Sequence, residues 1–202
     1  MKRVVTLILS VAIAAASPTG VAAFADDDII TEDQQTEKIS VSNFIIKGIE
    51  SKIYTGEAIT CDISVICNGQ TLIEGQDYAV SYTNNTDIGK AYVKISGIGN
   101  YNGTLTRYFT IKPMSPSIKK LTAGSKKITV KLNTVAGDIT SYQIYYKKTG
   151  ATAKKVKITS ASKVLKSLTS GSKYKIKVRA IKDIDGKNYI SEWSSAKSVT
   201  VK

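Results

Sequence analysis

Five short stretches of this chain alternate apolar with polar residues, and a period of two is a strand signal that argues against a helical architecture. They are Tyr78-Val80-Tyr82, Ala91-Val93-Ile95, Ile128-Val130-Leu132, Tyr142-Ile144-Tyr146 and Ile176-Val178-Ala180. Successive side chains of a strand point to opposite faces, so such a stretch buries one face and leaves the other in solvent. Between them stand Asn68-Gly69, Asn84-Asn85, Gly97, Gly99-Asn100 and Asn102-Gly103, residues that tolerate positive φ and favour tight turns. No window of ten or more residues beyond the N-terminus has convincing helical spacing. The chain is therefore expected to be all-β, as two small antiparallel β domains in tandem.

The N-terminus carries a different signal. Lys2 and Arg3 precede an uncharged, mostly apolar run from Val4 to Ala16, which Pro18 and Gly20 end. Ala23-Phe24-Ala25 then supplies a small-x-small site. This is the pattern of a secretory signal peptide over residues 1–25, and the run is short of the roughly 20 residues that a membrane span needs. The expectation is export without a membrane span. Residues 26–40 are acidic and lack aromatic residues, which reads as a flexible leader. Residues 41–112 form the first module. Pro113 and Pro116 bound a short stiff linker, 113–116, before the second module at 115–202.

Charge divides at that linker. Residues 26–112 hold 7 basic and 12 acidic side chains, whereas residues 113–202 hold 20 basic and 4 acidic. The second module is thus a small body of net charge +16.

The chain contains no histidine. That excludes Ser-His-Asp and Cys-His catalysis, HExxH zinc sites and imidazole proton shuttling. The carboxylates of the first module, Glu57, Asp62, Glu74, Asp77 and Asp87, are scattered and suggest no paired acid–base site. Cys61 and Cys67 would sit on one face of a strand read over Thr60–Ile66. That puts their Cα atoms about 20 Å apart, too far for a disulfide, so both are expected as buried free thiols. Asp183-Ile184-Asp185-Gly186 echoes part of a calcium loop but lacks its third acid and bidentate Glu, and fits a Gly-centred hairpin better. Asn84-Asn85-Thr86 and Asn102-Gly103-Thr104 match the N-glycosylation pattern and read as turns. No catalytic residue, metal ligand or cofactor is expected.

Residues Leu168-Thr169-Ser170-Gly171-Ser172-Lys173-Tyr174-Lys175-Ile176-Lys177-Val178-Arg179-Ala180 resemble the E–F corner and F strand of a fibronectin type III domain. Thr140 to Tyr146 resembles its C strand, and Ser191-Glu192-Trp193-Ser194-Ser195 leading to Val199-Thr200-Val201 its last strand. The place of the family's strand-B Trp is taken by Leu132. The resemblance implies a β-sandwich over 115–202. In it Tyr174 packs in the core with its hydroxyl on upstream backbone, Leu168 lies at the same corner, and Trp193 stacks structurally with Arg179. Residues 52–112 resemble a repeat of surface proteins from Gram-positive bacteria. The resemblance rests on Tyr54-x-Gly56, Gly75-x-Asp77-Tyr78, Tyr82-x-Asn84-Asn85, Gly97-x-Gly99-Asn100-Tyr101-x-Gly103 and Phe109-x-Ile111. It implies a non-catalytic stalk module, Ig-like or β-grasp-like.

The basic half carries the functional expectation. Lys173, Lys175, Lys177 and Arg179 alternate with core residues and leave from one sheet face, which Tyr145 and Lys147 of the neighbouring strand would share. Lys148, Lys154, Lys155 and Lys157 lie close in sequence. Such a module attracts polyanions. For an exported protein these are anionic cell-wall polymers such as teichoic acids, or acidic glycans, rather than nucleic acid. The plain alternative is a solvated, solubilising surface. No Leu-Pro-x-Thr-Gly sorting signal precedes the final Val201-Lys202, which points to noncovalent attachment or release. The reading is a secreted or cell-surface adhesion or spacer protein with other surface proteins as further partners. Its rival is a carbohydrate-binding accessory module of an extracellular polysaccharide-degrading system, which would show exposed aromatics in a row.

Overall fold

The computed structural model describes residues 37–202; the stretch read as a signal peptide and most of the stretch read as an acidic leader lie outside the described residues. The first module contains β1 (Ile39–Ser40), β2 (Ile45–Lys47), β3 (Lys52–Ile53), β4 (Ser64–Cys67), β5 (Gln70–Thr71), β6 (Tyr78–Thr83), β7 (Gly89–Gly97), β8 (Tyr101–Asn102) and β9 (Thr104–Lys112). The second contains β10 (Ser117–Gly124), β11 (Lys127–Asn133), β12 (Ser141–Lys148), β13 (Lys154–Ile158), β14 (Ser162–Leu165), β15 (Lys173–Ile184), β16 (Lys187–Ile190) and β17 (Lys197–Thr200). The all-β expectation holds: among the described residues the only helical turn is the single 3-10 turn Val41–Asn43. No described helix is long and apolar enough to cross a membrane.

In the second module, one sheet runs β10-β11-β14 and the other β13-β12-β15-β16, with β17 also pairing β15. Alternation dictates the core. Ile128, Val130, Ile144, Ile176, Val178 and Ala180 are fully buried, and the strands' polar positions face out. Leu132, in the place of the absent Trp, is buried in the same cluster. Each fully buried aliphatic side chain contributes about 1.5–3 kcal/mol. The β15–β16 hairpin turns through Asp185 and Gly186, both at positive φ (51° and 79°), as a type I′ turn requires. The Gly186 N–H donates to Asp183 Oδ1 at 3.0 Å, so that carboxylate closes the turn.

In the first module, the larger sheet runs β3-β9-β7-β6 and the smaller β2-β4-β5. Between them lie two apolar clusters, one around Val65, Val93 and Ile95, the other around Ala91, Phe109 and Ile111. Two readings need correction. Ile39 and Ser40, read as the end of the leader, are ordered: β1 pairs in parallel with β8, and Ile39 packs against the Val41–Phe44 cluster. The strand read over Thr60–Ile66 begins only at Ser64. Upstream of it the backbone bonds to distant residues instead of a ladder, beginning with the Ile59 N–H, which donates to the Asn85 carbonyl at 2.8 Å. The Cys61 N–H donates to the Tyr82 hydroxyl at 3.2 Å, and that hydroxyl donates to the Cys61 carbonyl at 3.0 Å. Asn85 Nδ2 donates to the Ile59 carbonyl at 2.9 Å. Burial raises the Tyr82 pKa even though the bond to Cys61 opposes it. Cys61 and Cys67 are free and buried, but in the two different clusters rather than on one strand face.

Residues 113–116 connect β9 to β10, and Pro113 and Pro116 are both buried. Ser115 Oγ donates to the Glu192 carbonyl at 3.0 Å, and Lys112 Nζ lies 3.4 Å from Glu192 Oε1. The connection is packed against the second module rather than suspended in solvent.

Candidate polyanion-binding face

The site begins with a long strand. β15 spans twelve residues because Lys173–Ile184 alternates almost without interruption, burying Tyr174, Ile176, Val178 and Ala180. The intervening Lys173, Lys175, Lys177 and Arg179 therefore share the opposite face. Register then decides who joins them. β12 runs antiparallel to β15 with Gln143 opposite Arg179, Tyr145 opposite Lys177 and Lys147 opposite Lys175. On its other side β12 pairs β13, setting Lys157 opposite Gln143 and Lys155 opposite Tyr145. Neighbouring strands lie about 4.8 Å apart and alternate residues about 6.8 Å apart, so these cations form a closely spaced lattice.

Trp193 completes the face through a local device. β17 pairs the first part of β15 and β16 its last part, leaving a gap opposite Lys177–Ala180. Serines fill it. The Val178 N–H donates to Ser194 Oγ at 3.0 Å and the Ala180 N–H donates to Ser191 Oγ at 2.9 Å. The backbone N–H groups of Ser194 and Ser191 donate in return to the Val178 and Ala180 carbonyls, at 2.8 and 3.0 Å. The residues between these anchors are held on the sheet, and Trp193 lies over the face. Arg179 Cζ stacks 4.4 Å from its ring centroid, and Tyr145 meets it edge-on at 5.9 Å and 65°. Arg179 Nε and Nη2 both donate to Gln143 Oε1, at 3.0 and 2.7 Å. Arg179 is thus committed to Gln143 and Trp193. The lysines around it are the available charges.

A hollow of ≈ 500 Å³ opens beside this aromatic pair, lined by Tyr145, Lys147, Lys148, Lys175, Lys177 and Trp193. No carboxylate lines it. Among the described residues the only ion pair is Lys112–Glu192, outside this face. Of the residues singled out in the sequence, the structure brings Tyr145, Lys147, Lys175, Lys177, Arg179 and Trp193 together. Lys173 shares their face but lies at the start of β15, outside the hollow.

Tyr174 and Leu168 lie on the core side, as structural residues. The Thr169 N–H donates to the Tyr174 hydroxyl at 3.1 Å, closing the corner between β14 and β15. Burial would raise the pKa of this hydroxyl, but the Thr169 bond and the nearby Lys148 and Lys154 outweigh it and hold it below the ordinary tyrosine value. Tyr174→Phe is expected to destabilise the second module by about 1 kcal/mol, because the Thr169 N–H loses its acceptor. Urea unfolding followed by Trp193 emission measures this, and an unchanged midpoint would show that the corner bond contributes nothing.

The sequence reading missed a second feature. On the outer face of β7 and β9, Tyr92 stands directly opposite Tyr108, with Lys90 Nζ 4.0 Å from the Tyr108 ring centroid. Tyr108 is 59% exposed. The alternation that buries Ala91, Val93 and Ile95 already placed Tyr92 on the opposite face. Its pairing with Tyr108 depends on register and could not be read locally.

Residues 111–197 match the family model of the fibronectin type III domain. No curated protein matches the chain. Among solved structures it is similar to one described as "Myokine structure", at 19% identity and a TM-score of 0.37 over 45% of this chain and 100% of that one. It is also similar to a crystal structure of domains from titin, at 16% identity and a TM-score of 0.39 over 78% of this chain. A structure of titin kinase and its flanking domains matches at 17% identity and 0.38 over 45% of this chain. The chain spans 66% and 17% of the length of those two titin structures.

Proposed function

We propose that this is a secreted or cell-surface, non-catalytic adhesion or spacer protein of a Gram-positive bacterium, held to an anionic cell-wall polymer or acidic glycan by its basic second module. The observation that carries this reading is the cation lattice of the β13-β12-β15 sheet. Lys147 and Lys175 stand directly opposite each other on adjacent strands, an arrangement that destabilises a sheet when nothing neutralises it. A bound polyanion relieves that repulsion, and the field of the face attracts it. The fibronectin type III match over 111–197 supports a modular, non-catalytic role.

A variant carrying Lys147→Glu, Lys175→Glu and Lys177→Glu, with Arg179 kept because it holds Gln143 and Trp193, is expected to fold. It should lose affinity for a purified teichoic acid or an acidic glycan by about tenfold or more at moderate salt, and the wild type's affinity should itself fall with added salt. The control reverses the same number of charges on the other sheet, at the exposed Lys120, Lys131 and Lys163, where Lys120 and Lys131 are also directly opposed but lie outside the hollow of Tyr145 and Trp193. Equal losses in both variants would reduce the face to unspecific charge, and the solvated-surface reading would stand.

A second reading, a carbohydrate-binding accessory module of a polysaccharide-degrading system, draws on the Tyr92–Tyr108 pair. Two adjacent outward tyrosines are the beginning of an aromatic row, and Tyr108 is well exposed.

A further inference from the structure

We infer that the hollow beside Trp193 takes the ring of an anionic sugar residue, so that the ligand class of the basic face is an acidic glycan rather than a polyanion without rings. This rests on the polyanion reading of the same face. Three features carry it. The hollow is open to solvent and measures ≈ 500 Å³, comparable in volume to small-molecule sites of roughly 300–1,000 Å³. Its wall is aromatic: Trp193 is held in place by Arg179 stacked 4.4 Å from its centroid and by the Ser191 and Ser194 anchors, and Tyr145 abuts its edge. The pair is preorganised, so a ligand spends little to order it. The remaining lining is Thr149, Gly150 and four lysines, with Lys147 and Lys175 in one cross-strand row and Lys177 in the next, beside Tyr145.

These features ask for different parts of one ligand. Arg179 already covers part of Trp193, so the surface left to attract the apolar C–H face of a pyranose is Tyr145 and the part of Trp193 outside that stack. The lysines attract carboxylate or sulfate groups projecting from that ring. A flexible polyphosphate satisfies the lysines and leaves the aromatic wall uncovered. The hollow therefore discriminates by ring, the lattice around it by charge.

Trp193 is the only tryptophan of the chain, so its emission reports occupation of this hollow without a label. The full chain is titrated with a heparin-derived tetrasaccharide, with a galacturonate oligomer and with inorganic polyphosphate of matched charge. Both glycans are expected to bind about tenfold tighter than polyphosphate and to change the Trp193 emission. Tyr145→Ala is expected to bring the affinities together. Tyr145→Leu, which keeps an apolar group against Trp193, does the same if truncation to alanine disturbs folding. If only the sulfated or only the uronate oligomer binds tightly, the inference stands for that anion. If glycans and polyphosphate bind equally and neither Tyr145 variant changes their ratio, the ring inference is overturned while the polyanion reading survives. If none of the three binds, both fall.

Discussion

Gly48→Ala is expected to open the first module, lowering its stability by about 3 kcal/mol or more. Two physical effects add there. The residue sits at φ +84°, where an L side chain costs roughly 1–2 kcal/mol. A Cβ would also collide with the backbone carbonyl oxygen of Asp62, with the Asp62 carbonyl carbon at 3.1 Å and the Ile63 Cα at 3.3 Å. None of these atoms can rotate away as a flexible side chain would. Glycine is required at this crossing because β2 leads directly into a close approach to the segment before β4. Two internal reporters make the result readable by module. Both cysteines of the chain are buried in the first module, and its only tryptophan lies in the second. Thiol labelling in urea should shift to a markedly lower midpoint in the variant, against the wild-type profile. An unchanged labelling midpoint would refute the crossing as a constraint.

Ile176→Ala should be comparably damaging, by about 3–4 kcal/mol, and this time in the second module. Ile176 is fully buried in the first half of β15, in the cluster that includes Ile144, Val178 and Tyr174. Truncation loses the transfer energy of the removed carbons and leaves a cavity that interlocked strands cannot close. Its neighbour supplies the contrast. Lys175→Ala, one residue earlier and exposed, should change stability by no more than about 0.5 kcal/mol. Urea unfolding monitored by Trp193 emission separates the two. Similar midpoints for both variants would mean that the alternation assigns the faces of β15 wrongly.

The strand content was legible because its signal is local. A period of two over five to seven residues reports which side chains share a face, and the buried sets of β7, β11, β12 and β15 follow it. The one long misreading, Thr60–Ile66, shows the limit of that signal. Residues 59–61 have strand-like composition, yet their backbone groups bond to Tyr82 and Asn85, more than twenty residues away in sequence. A competition between a ladder partner and a distant side chain leaves no trace in the periodicity. The basic face divides the same way. Lys173, Lys175, Lys177 and Arg179 could be placed together from one strand's alternation, but the hollow could not, since its walls come from β12, β15 and the segment before β17.

By itself, the sequence determined that this chain folds as strands and that its positive charge gathers in one module. It also determined that histidine chemistry is absent, since no fold can supply a residue the chain lacks. Tertiary structure alone decided which cations become neighbours, that Arg179 is committed to Gln143 and Trp193, and that Tyr92 faces Tyr108. The reason is that alternation is a property of consecutive residues, whereas register is settled by the summed packing of whole strands. A slip of one residue in β12 would preserve every local pattern in β15 and still dismantle the face.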